Sequence, residues 1–258
     1  MKYIVAYHTD VGTTKKTNQD SLAIKVIETK EGLVAFGIIC DGMGGLAKGE
    51  LASKEVIGAF CEWFDKEFTD DILADKFDEG RLIEQWNNII QTQNTRLGKY
   101  GEENGLMLGT TVSAILMYKG QYYIVHVGDS RVYQLNKDNA SQLTKDQTFI
   151  AREIAAGRMT PEQAKTDPRR SVLLQCVGAS NVVEPEFTKG IVRDNTVYMF
   201  CSDGFRHQIS NEEILENIGP NVEADEEKLK FGCMYLTELV KSRRETDNIT
   251  VGLIRTCK

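Results

Sequence analysis

Five aspartates occupy the same kind of place along the chain, each where an apolar run meets a loop. Asp41 closes LVAFGIIC and is followed by Gly42-Met43-Gly44-Gly45. Asp129 follows YYIVHVG, Asp203 follows VYMFCS, Asp20 opens SLAIKV, and Asp247 precedes NITVGLI. A single Asp-Gly at such a place is an ordinary turn, since both residues favour turns for backbone reasons. Five carboxylates at strand ends are harder to explain that way: gathered at one end of a sheet they repel each other and lose hydration unless cations neutralise them. Hard divalent ions suit the task, because magnesium and manganese take oxygen ligands, keep several waters and need few protein side chains. Glycine beside such a ligand lets the backbone carbonyl turn inward as another oxygen donor. The glycines after Asp41 therefore read as a loop that wraps an ion.

Other chemistries fit less well. Three histidines, His8, His126 and His207, are too few for sites built mainly from imidazole. Six cysteines are scattered with no C-x-x-C pair and mostly in apolar contexts, as expected of reduced, space-filling thiols. GMGGLA at 42–47 satisfies the G-x-G-x-x-G/A dinucleotide pattern, but that fingerprint needs a second parallel strand ending in an acid about 20 residues on. A helical pattern occupies that region instead, and Asp41 would repel a pyrophosphate. Ala47 and Gly49 break the Walker pattern. In Cys201-Ser-Asp-Gly-Phe-Arg206 only four residues separate Cys and Arg, one short of a cysteine-phosphatase loop.

The elements that position these residues come in groups. Strands are expected at Tyr3–Thr9, Ser21–Val26 and Leu33–Cys40, then in TTVSAILMY, QYYIVHVG and SRVYQL, with a hairpin turn at Lys119-Gly120. Further strands are expected at Thr196–Cys201 and Ile249–Arg255. Helical spacing marks Lys48–Phe68 and Glu79–Tyr100, with shorter helices near Phe149–Ala156, Asn211–Ile218 and Glu226–Lys241. Clustered strands with two long helices between them point to antiparallel sheets with helices packed outside, an α+β layered domain. The 258 residues can bury a sizeable core, and a formal charge of −7 without a basic tract argues against nucleic acid or anionic membrane as partners. No apolar stretch approaches a membrane span and MKYIVAYHTD lacks a signal-peptide shape, so a cytoplasmic protein is expected.

With TNQDS (17–21), ICDGMGG (39–45), LGTTVSAIL (108–116), VGDSRVY (127–133), LTKDQT (143–148), CSDGF (201–205) and TDNIT (246–250) in this order, the chain resembles the metal-dependent serine/threonine protein phosphatases of type 2C, in their compact bacterial form. The resemblance covers nearly the whole chain. It implies one domain over 1–258 with a four-layer αββα fold, two antiparallel sheets flanked by helix pairs, and a flap at about 146–180. It also implies two manganese or magnesium ions. Asp41 would bridge them, Asp203 and Asp247 would complete the first site, and the Gly42 carbonyl would help hold the second. Gln19 and Asp20 would hydrogen-bond metal waters, and Asp129 with Asp203 would form a third, weaker site. The implied reaction is hydrolysis of phosphoserine and phosphothreonine in proteins by a metal-activated water, with no covalent enzyme intermediate. The implied partners are phosphoproteins and a cognate serine/threonine kinase, the phosphatase itself being a monomer. Lys15 stands where relatives carry a phosphate-clamping arginine, supplying charge without a bidentate fork. Met43 stands where many eukaryotic relatives have a histidine, while Gln147 and Asp167 also replace histidines of the family pattern. A phosphoprotein-binding pseudophosphatase without turnover is the alternative, favoured by Lys15 alone, since no metal aspartate is lost.

Overall fold

In a computed structural model, which describes residues 2–43 and 48–257, ten strands form two five-stranded antiparallel sheets. One has the order β2 (Asp20–Thr29), β3 (Gly32–Asp41), β4 (Val112–Tyr118), β5 (Gln121–Val127), β8 (Glu186–Ile191). The other runs β1 (Lys2–Asp10), β10 (Ile249–Cys257), β9 (Val197–Cys201), β6 (Arg131–Leu135), β7 (Ala140–Gln142). Alternating side chains divide the buried residues into three apolar layers. From β3, Phe36, Ile38 and Cys40 face outward to helices, while Ala35 and Ile39 face the other sheet. From β9, Val197, Met199 and Cys201 face outward, while Tyr198 and Phe200 face inward. The inner layer closes tightly around Phe200: a Cβ added to Gly37 or Gly252 would come within 2.7 or 2.4 Å of its ring. Those strand glycines are there because an aromatic ring lies across them.

Helices α1 (Gly49–Trp63) and α3 (Glu79–Asn104) cover the first sheet through Phe60, Trp63, Trp86 and Ile90. The second sheet is covered by α7 (Asn211–Ile218) and α8 (Glu226–Ser242) through Ile214, Ile218, Leu229, Cys233 and Leu236. The result is the expected four-layer helix–sheet–sheet–helix stack. Helix α3 is capped by the Asp78 side chain, which accepts from Arg81 N, and it ends at Gly105 with φ 62°. The hairpin turn is as expected, with Lys119 and Gly120 at φ 48° and 74°.

Differences from the sequence reading are local. The helix expected at 48–68 does not stop there, but passes through a π-helical turn at Phe64–Phe68 into α2 (Thr69–Leu73). Strands β7 and β8 were not anticipated. Within 146–180 lie α4 (Phe149–Ala155) and α5 (Pro161–Thr166), the latter with a Thr160/Gln163 capping box; the bridge Thr148–Leu173 closes the segment on itself and the bridge Thr110–Val177 ties it back. Gln147 Oε1 accepts from Gly128 N at 2.8 Å and from Gln175 Nε2 at 2.8 Å, joining this segment to the end of β5.

Candidate metal centre

Pairing registers bring the five aspartates to one end of the sandwich. Asp20 and Asp41 face each other across β2 and β3. Cys201 pairs with Arg131 on one side and Val251 on the other, so the loops carrying Asp129, Asp203 and Asp247 emerge together. The short helix α6 (Asp203–Arg206) starts at Asp203 itself.

Hydroxyls and amides then fix the backbones. Asp41 N donates to Thr111 Oγ1 at 3.0 Å, and Thr110 Oγ1 donates to the Asp41 carbonyl at 2.9 Å. Thr111 Oγ1 lies 2.7 Å from Ser130 Oγ, which links the end of β3 to the residue after Asp129. Asn248 staples the other side: its Oδ1 accepts from Gln19 N at 2.9 Å, and its Nδ2 donates to the carbonyls of Val11 and Thr17. Gly12, at φ 77°, lies so close to the Asp247 carbonyl that a Cβ would be 2.2 Å from it. Gly42 is equally hemmed in, with the Gly49 carbonyl 2.3 Å from where its Cβ would be.

This convergence has a strong electrostatic signature. Burial pushes the Asp41 carboxyl well above the usual carboxylate range, and Asp20, Asp203, Asp129 and Asp247 each push it further. Burial also lifts Asp20 to about 7, with Asp203 and Asp247 adding to the rise. The hydroxyls of Thr250 and Ser202 act against that rise, yet neither Asp20 carboxylate oxygen has a partner in hydrogen-bonding geometry and both are buried. Asp129, also buried, is lifted to about 7 by desolvation and Asp203, against the pull of Arg206 and Arg131.

Protein cations answer only part of this charge. Lys15 Nζ lies 3.0 Å from Asp247 Oδ1, and Arg206 Nη2 lies 3.7 Å from Asp129 Oδ2. His207 lies 3.8 Å from both Asp203 and Glu245, with burial holding its pKa down. The remaining donors are oxygens, two of them buried and orphaned, and this set fits hard divalent cations. Among the described residues no three His, Cys, Asp or Glu side chains close into a ready cage. An ion that keeps much of its water shell does not require one.

The structure thus gathers Asp20, Asp41, Asp129, Asp203, Asp247, Gly42 and Lys15. Gln19 is beside them, its amide donating to Glu50 Oε2 at 3.3 Å and its carbonyl accepting from Gly42 N at 3.1 Å. Gly44 and Gly45, read as the rest of the ion-wrapping loop, lie outside the described residues, as do Leu46 and Ala47 of GMGGLA. Sequence reasoning gave no role to Asn248, Thr111, Glu50 or Arg206. The first two stand inside the quoted runs TDNIT and LGTTVSAIL, and a side-chain amide or hydroxyl at a strand end was the available signal. Beside Asp129 a cleft of about 1140 Å³ opens between the centre and α4–α5, lined by Arg131, Asp146, Ile150, Pro161 and Arg206 among others.

Comparisons with known proteins agree with this architecture. A family model described as Protein phosphatase 2C matches residues 9–227. A protein of Streptococcus pyogenes described as a putative protein phosphatase 2C-type is 29% identical over 97% of this chain and 96% of its own length. The S. agalactiae serine/threonine phosphatase superposes with a TM-score of 0.83 at 27% identity, covering 99% of this chain and 100% of that one. The catalytic domain of the serine/threonine protein phosphatase PstP, solved in complex with two manganese ions, superposes with a TM-score of 0.77 at 29% identity over 100% of both chains.

Proposed function

The chain belongs to the protein phosphatase 2C family and is a serine/threonine protein phosphatase; from that premise we propose that it removes phosphate from phosphoserine and phosphothreonine through a binuclear manganese or magnesium centre. The observation that carries the proposal is the convergence of four carboxylates on Asp41, whose carboxyl is raised by burial and then further by them. Two bound divalent ions would activate a water for in-line attack on the ester and offset the charge on the phosphoryl oxygens.

The chain's own residues supply the rest. Asp41 would serve both ions, Asp203 and Asp247 would help hold the first, and the Gly42 carbonyl would help hold the second. Asp20, with two unpartnered oxygens, accepts hydrogen bonds from water in the centre, and Gln19 stands beside it. Lys15, which pairs with Asp247 at 3.0 Å, would be free to meet the substrate phosphate with that carboxylate engaged in metal binding. Met43 carries no transferable proton, so the departing serine or threonine oxygen is protonated by water. The segment 146–180 flanks the cleft and forms the flap beside which the phosphoprotein lies. Reversal of a cognate serine/threonine kinase in the cytoplasm, by a monomer, is the proposed setting. Among the described residues no helix is long and apolar enough to cross a membrane.

The test is hydrolysis of a phosphothreonine peptide by the purified chain in manganese, with chelator and Asp203→Asn as controls. Turnover abolished by both controls is the expected result. Absence of turnover in folded, metal-loaded protein would overturn the proposal.

A further inference from the structure

Arg206 has no part in the chemistry above. It stands three residues after Asp203 on α6, so the two side chains leave the same face of that turn. The β6–β9 register pairs Arg131 with Cys201, and continuing it by two residues sets Asp129 opposite Asp203. Arg206 occupies the Asp129 side of this place: its Nη2 donates to the Asp129 carbonyl at 3.1 Å and lies 3.7 Å from Asp129 Oδ2 and 3.6 Å from Asp146 Oδ2. The side chain is only 10% exposed, and its buried Nε has no partner. A guanidinium so enclosed gives up hydration without full compensation in hydrogen bonds, so the neighbouring carboxylates must hold it through its charge. Arg131, the other nearby cation, is already engaged: Nε and Nη2 bond both Asp146 oxygens at 2.7 Å, and Nη1 bonds the Tyr133 hydroxyl at 2.7 Å.

We propose that Arg206 is a built-in replacement for the third divalent ion that the family resemblance puts between Asp129 and Asp203. The chain then holds one metal ion fewer than that resemblance implies. A divalent ion on Asp129 would lie against a guanidinium that cannot shed its proton, and like charges at such range exclude one another. Arginine suits the role better than lysine, since its planar fork can hold a carbonyl while keeping its charge beside two carboxylates. The inference rests on the binuclear reading, and the two are separable by counting ions.

The experiment is a Mn2+ count on the full chain by equilibrium dialysis, with free ion read by electron paramagnetic resonance and affinities by calorimetry. Arg206→Ser is expected to bind one ion more than the unmodified chain, more weakly than the others, and Asp129→Asn added to it removes that extra ion. Asp129→Asn alone, which does not depend on Arg206→Ser folding, is expected to leave the count unchanged. Equal counts in the unmodified chain and a folded Arg206→Ser protein would overturn the inference. So would loss of an ion in Asp129→Asn alone. The absolute count in the unmodified chain reads the binuclear proposal, while the differences between variants read this one.

Discussion

Replacing Asp20 by asparagine is expected to stabilise the metal-free protein, and to do so more as the pH rises. The Asp20 carboxyl is raised from 3.8 to about 7, chiefly by burial and then by the neighbouring Asp203 and Asp247. A group whose folded-state value lies above its unfolded one favours folding less as it ionises. Its penalty is absent below about pH 4, grows through the window between the two values, and is complete above about pH 7. At 1.36 kcal/mol per pH unit the full penalty is about 4 kcal/mol, of which roughly 2–3 kcal/mol develops between pH 5 and pH 8. Asparagine carries no charge but must bury an amide where the carboxylate oxygens have no partner, a pH-independent cost of about 1–3 kcal/mol. The assay is thermal melting of both proteins in excess chelator from pH 5 to pH 8. For a chain of this size each kcal/mol moves Tm by about 2–4 °C, so the variant should gain roughly 5–10 °C on the parent across that range. Saturating manganese should cancel the gain, because the ions neutralise the same charge. A difference in Tm that stays constant with pH would refute the reasoning, whatever its sign, since only an ionising Asp20 makes it vary.

Lys15→Met is expected to raise KM for a phosphothreonine peptide by about 10-fold or more, the value of one charge-assisted hydrogen bond, and to tighten manganese binding by freeing Asp247; steady-state kinetics and calorimetry read the two effects. Manganese at about 100 times its Kd should stabilise the parent by about 2.7 kcal/mol per site, a shift that melting of Asp41→Ala should largely lose. Phe200→Ala should cost about 3–5 kcal/mol in urea titrations, because the ring fills the gap between Gly37 and Gly252. Gly252→Ala should also destabilise the protein, by about 1–3 kcal/mol through overpacking against that ring.

Strands β3, β4, β5, β9 and β10 were legible as continuous apolar runs because they are buried on both faces, and the two long helices because burial on one face leaves a helical period in the sequence. Strand β8, EFTKGI, was not: it lies at a sheet edge, half-exposed along its length, and has a neighbour on one side only. The π turn at Phe64–Phe68 escaped for another reason, since Phe60, Phe64 and Phe68 keep helical spacing through it. In the centre, the carboxylates were legible as residues but their partners were not. Lys15 meets Asp247, and Gln19 meets Asn248, only because β1 pairs with β10 at opposite ends of the chain. Arg206 read as an accident of spacing after Cys201, yet its partner is Asp129 in the loop between β5 and β6.

Two of the sequence features that fitted no motif, Lys15 and Arg206, are the cations that touch the carboxylates, and together they bear on how many ions the centre takes. Five carboxylates against one lysine and one arginine leave three negative charges. Two divalent ions turn that into a single positive charge, facing a phosphate ester dianion that brings two negative ones. A third divalent ion would leave the centre strongly positive before substrate arrives and would hold the phosphate product as firmly as the ester. Because an arginine cannot dissociate as an ion does, the charge beside Asp129 stays constant across metal concentrations. Only the two sites around Asp41 would then set how activity depends on manganese, so the metal titration of turnover should saturate with the two tight ions and show no later, weaker phase.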